Sequence, residues 1–270
     1  MIKLIASDMD GTLLDENNRL PKGFHNLLDK LAERGIWFAA ASGRQYVNLA
    51  ERFSSELHRM ICMSNNGALV KISDEIIYCR AFEESDLSSV ISVGRDLRDG
   101  IFIASGVRSA YIEKPLSRNI DDYLAAMPAY FTALKVIDSF SEIEDEILNF
   151  SICDFRGTER YVHPVFSGLD SRFDIKVSGD IWLDISLAGN NKGAGLRAIQ
   201  RHLGVSRDET AAFGDFLNDS EMLMNAKYSF AMDNAHPELF RHASFRAPSN
   251  RDSGVLRSIR HILDHPQEYP

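Results

Sequence analysis

The stretch Asp8-Met9-Asp10-Gly11-Thr12-Leu13-Leu14 directly follows a mostly apolar run at residues 2–6. This pattern predicts a buried strand that ends on two carboxylates. Because side chains alternate faces along an extended strand, Asp8 and Asp10 are expected to point the same way, and Gly11 lets the chain turn sharply behind them. Such a carboxylate pair suits a hard octahedral cation such as Mg²⁺, which takes oxygen ligands. The alternative for a bare Asp-x-Asp is a turn with two solvated acids.

The composition is that of an ordinary globular protein. Its 270 residues suffice for one large domain or two modest ones. The net charge of -9 gives no reason to expect nucleic acid or an anionic membrane as a partner, so an anionic substrate needs a local basic site. The three cysteines, Cys62, Cys79 and Cys153, have no metal-ligand spacing and are interpreted as packing residues of a reducing compartment, with a reactive thiol as the alternative. Without a signal peptide or a membrane-spanning run, the protein is predicted to be cytoplasmic, as a monomer or weak homo-oligomer.

Alternating strands and helices predict a doubly wound α/β core with a mainly parallel sheet. After the opening strand comes a helix with Phe24, Leu27 and Leu31 on one face. The apolar run 36–41 is too short for a helix and is apolar on both faces, as parallel strands are. A helix from residue 46 and a strand at 60–63 follow. After residue 187 the pattern returns, with a helix beginning at Asn190-Asn191-Lys192-Gly193, strands at 210–213 and 228–232, and a closing helix at 254–263.

The pattern between these two segments is different and indicates an insertion. Its helices are predicted at 86–98 and 116–127, and its strands at 101–104, 110–112, 133–136, 148–152, 173–177 and 182–187. Hairpins mixed with helices are typical of an α+β domain, and about 100 residues is a usual domain size. We therefore predict a catalytic core at 1–81 and 187–270, interrupted by a second domain at 82–186.

Four polar clusters follow predicted strands or begin helices: Asp8/Asp10, Ser42-Gly43, Lys192, and Asp215/Asn218/Asp219. In open α/β sheets the carboxyl ends of the strands form the ligand crevice, so distant segments can share one site. Singly, each has a structural alternative: Ser42 as a helix N-cap, Lys192 as a solvated helix residue, Asp215 and Asp219 as helix caps. Together they supply a cation and hydroxyl for phosphate and carboxylates for Mg²⁺. The combination suits phosphoryl transfer.

In this order the clusters resemble the four motifs of the haloacid dehalogenase superfamily. The insertion between the second and third motifs, preceded by Asn65-Asn66-Gly67-Ala68, resembles that of Cof-type phosphatases with an α/β cap. Three further stretches resemble the bacterial sugar phosphatases of the SupH branch: Ala41-Ser42-Gly43-Arg44-Gln45-Tyr46, Gly106-Val107-Arg108-Ser109-Ala110-Tyr111 and Ser229-Phe230-Ala231-Met232-Asp233-Asn234-Ala235.

The resemblance implies an Mg²⁺-dependent phosphatase of small phosphorylated metabolites, with sugar phosphates as the expected substrates. Asp8 would attack phosphorus and form an aspartyl phosphate, while Asp10 would protonate the leaving alcohol and later deprotonate water. The implied metal ligands are Asp8, Asp10 through its main-chain carbonyl, Asp215, and Asp219 in or just behind the metal shell. The implied phosphate-binding groups are the Met9 amide, Ser42, the Gly43 amide, Lys192 and Asn218.

The sequence bears differently on three other functions, those of a dehalogenase, a phosphosugar mutase and a non-enzymatic metabolite sensor. Dehalogenation needs neither Mg²⁺ nor a second aspartate, so the presence of Asp10, Asp215 and Asp219 favours a phosphatase. A phosphosugar mutase would look nearly the same, because the difference lies in whether the cap excludes water. A non-enzymatic metabolite sensor is disfavoured because the catalytic set is complete.

Two residues could set the substrate. Asp184, in the insertion, either accepts hydrogen bonds from sugar hydroxyls or has a structural role. Arg44 departs from the SupH branch, in which asparagine follows the Ser-Gly pair. Its guanidinium either faces the crevice and favours a more anionic substrate, or faces solvent.

Overall fold

The structure, a computed structural model, describes residues 1–95, 97, 99–114 and 133–269. The chain divides into two compact units, Met1–Cys79 with Asn191–Pro270, and Arg80–Asn190. The sequence places the boundaries after residues 81 and 186, whereas the compact units change after Cys79 and Asn190.

The secondary structure alternates as the sequence predicts, with strands and helices numbered here in chain order. The strands of the described residues are β1 (Leu4–Asp8), β2 (Trp37–Ala41), β3 (Ile61–Ser64), β4 (Leu69–Ile72), β5 (Glu75–Cys79), β6 (Ile101–Gly106), β7 (Ala110–Glu113), β8 (Leu134–Ile137), β9 (Ile147–Cys153), β10 (Phe173–Gly179), β11 (Trp182–Leu187), β12 (Thr210–Gly214), β13 (Tyr228–Met232) and β14 (Phe245–Ala247). In the same part of the chain, the α-helices are α1 (Phe24–Glu33), α2 (Tyr46–Arg52), α3 (Glu84–Gly94), α4 (Thr158–Tyr161), α5 (His163–Phe166), α6 (Lys192–Leu203), α7 (Ser220–Met224) and α8 (Gly254–Asp264).

The first unit contains a sheet whose eight described strands run in the order β14-β13-β12-β1-β2-β3-β4-β5. Strand β1 pairs in parallel with β2 on one side and with β12 on the other. The sheet stays parallel out to β14 and β3, and only the β3–β4 and β4–β5 pairings are antiparallel. The predicted doubly wound, mainly parallel fold is confirmed. Because the chain order reverses between β1 and β12, their carboxyl ends meet at the switch point where open α/β sheets bind ligands.

The apolar runs form strands here because both faces of the sheet are covered. All five residues of β1 are buried, as expected for a parallel strand with helices on both sides. Helix α1 buries Phe24, Leu27 and Leu31, and the Phe24 ring packs edge-on against Phe38 of β2 at 5.3 Å between centroids. The core therefore fixes the strand ends from which the polar loops emerge.

The second unit is the predicted α+β insertion. Its sheet has six described strands in the order β10-β11-β9-β6-β7-β8, antiparallel except between β7 and β8. Alternate residues of the central strands, such as Phe150, Ile152, Leu183 and Ile185, build a hydrophobic core of its own.

Several boundaries differ from the sequence-based expectation. Helix α2 ends at Arg52, although its apolar spacing suggests continuation to Leu57. Strand β14 and the short helices α4 and α5 were not predicted, because three or four residues carry no readable periodicity. The helix predicted at 116–127 lies outside the described residues. No helix in the described part of the chain is long and apolar enough to cross a membrane.

Candidate active site

The chain leaves the sheet immediately after Asp8. Strand β1 ends there, and the chain turns through Met9–Leu13 with Gly11 at a φ of +82°. The Asp8 residue is only 6% exposed, whereas the Asp10 side chain is 51% exposed. The expectation that Asp8 and Asp10 share one face of a continuing strand is therefore wrong, because the strand stops before Asp10.

Lys192 provides the positive charge of the site. It is the first residue of α6, whose N-cap Asn191 accepts a hydrogen bond from the Ala194 amide at 2.8 Å. The Lys192 side chain is 1% exposed and forms ion pairs with Asp8 and Asp219, the latter at 2.6 Å. Burial alone lowers its pKa, but these two carboxylates outweigh burial and raise the pKa above the ordinary lysine value. Lys192 is thus a buried, charged residue, and the solvated alternative is wrong.

The loop after β12 supplies two more carboxylates. The Asp219 Oδ2 accepts hydrogen bonds from the amides of Asp215 and Phe216, at 3.0 and 3.2 Å, and so caps the loop as well as binding Lys192. The Asp215 Oδ1 accepts a hydrogen bond from the Thr12 hydroxyl at 2.8 Å. One carboxylate oxygen each from Asp8, Asp215 and Asp219 lies within 4.8 Å of the others. Two segments about 200 residues apart thus converge on one point.

These three carboxylates carry more negative charge than Lys192 offsets. Burial raises the pKa of Asp8 well above its ordinary value, and the charges of Asp219 and Asp215 add to this against the opposing effect of Lys192. Burial likewise raises the pKa of Asp215, although the hydrogen bond from Thr12 lowers it. A group of oxygen donors with excess negative charge fits a hard divalent cation.

Gly11 leaves room for this arrangement. A side chain at residue 11 would overlap the Asp215 carboxylate. The Asp10 carboxylate does not belong to the group formed by Asp8, Asp215 and Asp219. The role predicted for Asp10 toward a metal uses its main-chain carbonyl instead, and it stays a prediction.

The loops after β2, β3 and β12 meet through Asn66. Asn66, at a φ of +51°, accepts a hydrogen bond from the Asn218 amide group at 3.2 Å, and a side chain at Gly43 would lie 3.3 Å from it. Ser42 is buried and accepts a hydrogen bond from the Arg44 amide at 3.1 Å. Since α2 begins only at Tyr46, Ser42 is not its N-cap.

Three contributing residues received no role from the sequence. All three lie inside stretches quoted above, and the Asn-Asn-Gly string directly after a strand was the available signal for Asn66. Asn234 donates a hydrogen bond to the Gly11 carbonyl at 2.8 Å and accepts one from the Asn250 amide at 3.1 Å, which braces the turn after β1. The quoted stretch around Asn234 gave this residue no role, because its partners are remote in sequence.

The two candidate specificity residues have defined partners. The Arg44 guanidinium, 38% exposed, forms an ion pair with the Asp10 carboxylate at 2.6 Å, so it does not simply extend into solvent. Asp184 lies in the second unit and accepts a hydrogen bond from the Ser151 hydroxyl at 2.6 Å. Burial raises the pKa of Asp184, as expected for a carboxyl among its own sheet neighbours.

Comparison with known proteins gives one consistent family. The profile of haloacid dehalogenase-like hydrolases matches residues 5–259. The chain is 31% identical over 269 residues to the 5-amino-6-(5-phospho-D-ribitylamino)uracil phosphatase YbjI of Escherichia coli, covering 98% of this chain and 97% of that protein. It is 28% identical over 286 residues to an HMP-PP phosphatase of Cronobacter sakazakii, with coverages of 98% and 97%.

Solved structures share the fold over nearly the whole chain. SMU.1108c from Streptococcus mutans superposes with a TM-score of 0.84 at 28% identity, covering 98% of this chain and 100% of that one. The subclass IIB sugar phosphatase BT4131 superposes with a TM-score of 0.78 at 21% identity, with coverages of 96% and 98%.

Proposed function

The chain belongs to the haloacid dehalogenase-like hydrolases and is a phosphoric monoester hydrolase of that family, and we propose that its substrates are small phosphorylated metabolites, chiefly sugar phosphates. The observation that carries the proposal is the buried Lys192 between Asp8 and Asp219, with Asp215 beside them. The relative YbjI is named for a compound with a phosphorylated ribityl chain, which supports the sugar-phosphate class.

Asp8 is the proposed nucleophile. One of its oxygens attacks phosphorus, an aspartyl phosphate forms, and the bond from phosphorus to the ester oxygen breaks. Lys192 orients the Asp8 carboxylate and offsets charge on the phosphoryl oxygens. The Ser42 hydroxyl, the Asn218 amide group and the main-chain amides of residues 9 and 43 are proposed to bind the other phosphoryl oxygens.

Asp10 is the proposed proton carrier. It gives a proton to the leaving alcohol as the ester bond breaks. In the second half-reaction it takes a proton from the water that attacks the aspartyl phosphate. That attack breaks the bond between phosphorus and the Asp8 oxygen, releases phosphate and restores both carboxyl groups.

Asp8 and Asp215 are proposed to hold Mg²⁺, together with the main-chain carbonyl of Asp10. Both Asp219 oxygens already bind Lys192 or the amides of its own loop, so Asp219 is proposed to stand behind the direct ligands and fix them. Bound Mg²⁺ would offset the negative charge between Asp8 and the incoming phosphoryl group.

The second unit, Arg80–Asn190, is proposed to be the cap that selects among substrates. A cytoplasmic location, a monomeric or weakly associated state and the absence of a nucleic-acid partner remain predictions from the sequence.

The test is phosphate release from a panel of sugar phosphates, nucleotides and flavin or pyridoxal phosphates, with Mg²⁺ and with a chelator. We expect Mg²⁺-dependent release concentrated on sugar phosphates, and none from an Asp8→Asn variant that still unfolds in one cooperative transition. Substantial turnover by Asp8→Asn would exclude the nucleophile assignment. Conversion of a sugar 1-phosphate to its 6-phosphate without phosphate release would identify a mutase. Mg²⁺ binding with no reaction on any compound would point to a sensor.

A further inference from the structure

The end of α8 carries a second group of potential metal ligands, formed by His261, His265 and Glu268. We call these three residues the His-Glu cluster. One ligand atom from each lies within 4.8 Å of the others, and within the described residues this is the only such group besides the one formed by Asp8, Asp215 and Asp219. The His-Glu cluster shares no residue with the proposed active site.

The backbone brings the three side chains together. His261 and His265 are four residues apart at the end of a helix and therefore lie on the same side, with ring centroids 4.4 Å apart. The chain then turns through Pro266–Glu268, which returns the Glu268 carboxylate to 3.0 Å from His261 Nε2. The arrangement thus depends on the turn as well as on helical spacing.

We infer that the His-Glu cluster binds a borderline divalent cation such as Zn²⁺ or Ni²⁺. Two imidazoles and one carboxylate suit these ions, whereas Mg²⁺ prefers oxygen donors alone. At ordinary Zn–N and Zn–O lengths, two ligand atoms of a tetrahedral site stand about 3.4 Å apart. The 3.0 Å between His261 Nε2 and the Glu268 carboxylate is already close to this value, and the other two separations are no more than 4.8 Å.

The second imidazole is oriented in a way that suits a ligand. His265 Nδ1 lies 3.2 Å from the main-chain oxygen of His261, which leaves its Nε2 available to a cation. A metal-bound histidine commonly donates its other ring nitrogen to such an oxygen. With three protein ligands, water would complete a tetrahedral site.

The alternative is an ordinary surface contact. The side chains of His261 and Glu268 are 47% and 50% exposed, and an exposed pair of this kind contributes little by itself. A bound cation, in contrast, would fasten the Pro266–Glu268 turn to α8. Tyr269, the next residue, packs its ring against Tyr228 and Phe245 at 5.7 and 5.8 Å, so the cation would also secure this packing on the sheet edge.

The test is a Zn²⁺ titration of the full chain by calorimetry, in excess Mg²⁺ to occupy the acidic site. The variants are His261→Ala/His265→Ala, Glu268→Gln, and His202→Ala as a matched control with an exposed histidine in the last turn of α6. Wild type and His202→Ala should bind one Zn²⁺ that the double variant lacks. Glu268→Gln should bind it at least tenfold more weakly.

Melting temperatures provide an independent readout. Zn²⁺ should raise that of wild type and His202→Ala by several degrees, and not that of the double variant, since only a cation bound to the folded state stabilises it. Mg²⁺-dependent phosphatase activity should be the same in all four proteins. Equal Zn²⁺ stoichiometry and affinity in wild type and the double variant, or unchanged affinity in Glu268→Gln, would overturn the proposal. Any Zn²⁺ that binds to the site of Asp8, Asp215 and Asp219 would be measured equally in all four proteins. Binding at the His-Glu cluster is therefore the difference between wild type and the double variant.

Discussion

The Arg44 guanidinium donates two hydrogen bonds to the Asp10 carboxylate, from Nε to Oδ2 at 2.9 Å and from Nη2 to Oδ1 at 2.6 Å. Two parallel bonds of this kind fix the plane of a carboxylate as well as its position. The Asp10 side chain is 51% exposed, so packing alone does not orient it. Arg44 therefore sets the direction of the proposed proton carrier.

We predict that Arg44→Lys lowers kcat about tenfold on a sugar phosphate, a fraction of what general acid–base catalysis contributes, with KM nearly unchanged. Lysine keeps the charge but offers no planar fork, so Asp10 loses its fixed orientation. In kcat/KM, which reports only the steps up to departure of the leaving group, the loss on p-nitrophenyl phosphate should be much smaller, because that leaving group departs without a proton. Steady-state kinetics on the two substrates measure the difference.

The control for this prediction is Arg52→Lys. Arg52 lies on α2 and donates a hydrogen bond to the Asn18 carbonyl at 2.9 Å. The Arg52→Lys variant should leave the kinetic constants for both substrates unchanged. An equal loss of kcat/KM on both substrates in Arg44→Lys would contradict an orienting role and indicate a general effect on the site.

The core could be predicted because its signals are local. The apolar runs of β1 and β2 are strands buried on both faces, and the spacing of Phe24, Leu27 and Leu31 gives α1 its inner face. Strand β14 could not be predicted, since only one of its three residues is buried and its place depends on pairing with β13.

For the site, the order of the motifs at strand ends predicted which residues could meet, but not how. The burial of Lys192 between two carboxylates and the ion pair of Asp10 with Arg44 are tertiary outcomes. They depend on where β1 stops and on contacts between segments far apart in sequence. Because β1 ends at Asp8, the alternation of side chains along a strand does not extend to Asp10.

We predict that Lys192→Met destabilises the chelated protein by about 3–5 kcal/mol, the usual cost of breaking a buried pair. Asp8 and Asp219 would stay buried but would lose the lysine ammonium group with which both form ion pairs. Mg²⁺ should recover part of the loss, since it also neutralises these carboxylates. Urea unfolding with chelator and with Mg²⁺ measures both effects.

The matched variant is Lys3→Met, which removes an exposed ion pair to Glu209. Its unfolding free energy should change little, because solvent screens such a pair. If Lys192→Met cost no more than Lys3→Met, the buried ion pairs would not be what holds the loops together.

We predict that the rise in melting temperature produced by Mg²⁺ grows with pH. The pKa values of Asp8 and Asp215 are raised by burial, so between the ordinary carboxyl pKa and these raised values the folded protein holds more protons than the unfolded chain. Stability of the chelated protein therefore falls as pH rises through this window. Mg²⁺ neutralises the same carboxylates that protons neutralise at lower pH. Its contribution to the melting temperature is therefore largest at the pH values where those protons are lost.

Thermal melts with chelator and with Mg²⁺, at a mildly acidic and a mildly alkaline pH, measure this dependence. The Asp8→Asn variant should show a weaker pH dependence of the Mg²⁺ effect on melting temperature. The Asp208→Asn variant, changed at an exposed position, should show the same dependence as wild type. If Mg²⁺ raised the melting temperature equally at both pH values, protons and the cation would not be competing for these carboxylates.

We predict that Gly11→Ala weakens Mg²⁺ affinity at least tenfold, whereas Gly35→Ala leaves it unchanged. Both glycines have a left-handed φ, +82° and +67°, so each substitution should cost about 1–2 kcal/mol of backbone strain. At Gly35 a new methyl group meets nothing within 4 Å, but at Gly11 it overlaps the Asp215 carboxylate. The pair therefore separates strain from displacement of a proposed ligand. Mg²⁺ titrations of phosphatase activity make the comparison, and wild-type affinity in Gly11→Ala would exclude Asp215, as placed in the structure, from the metal site.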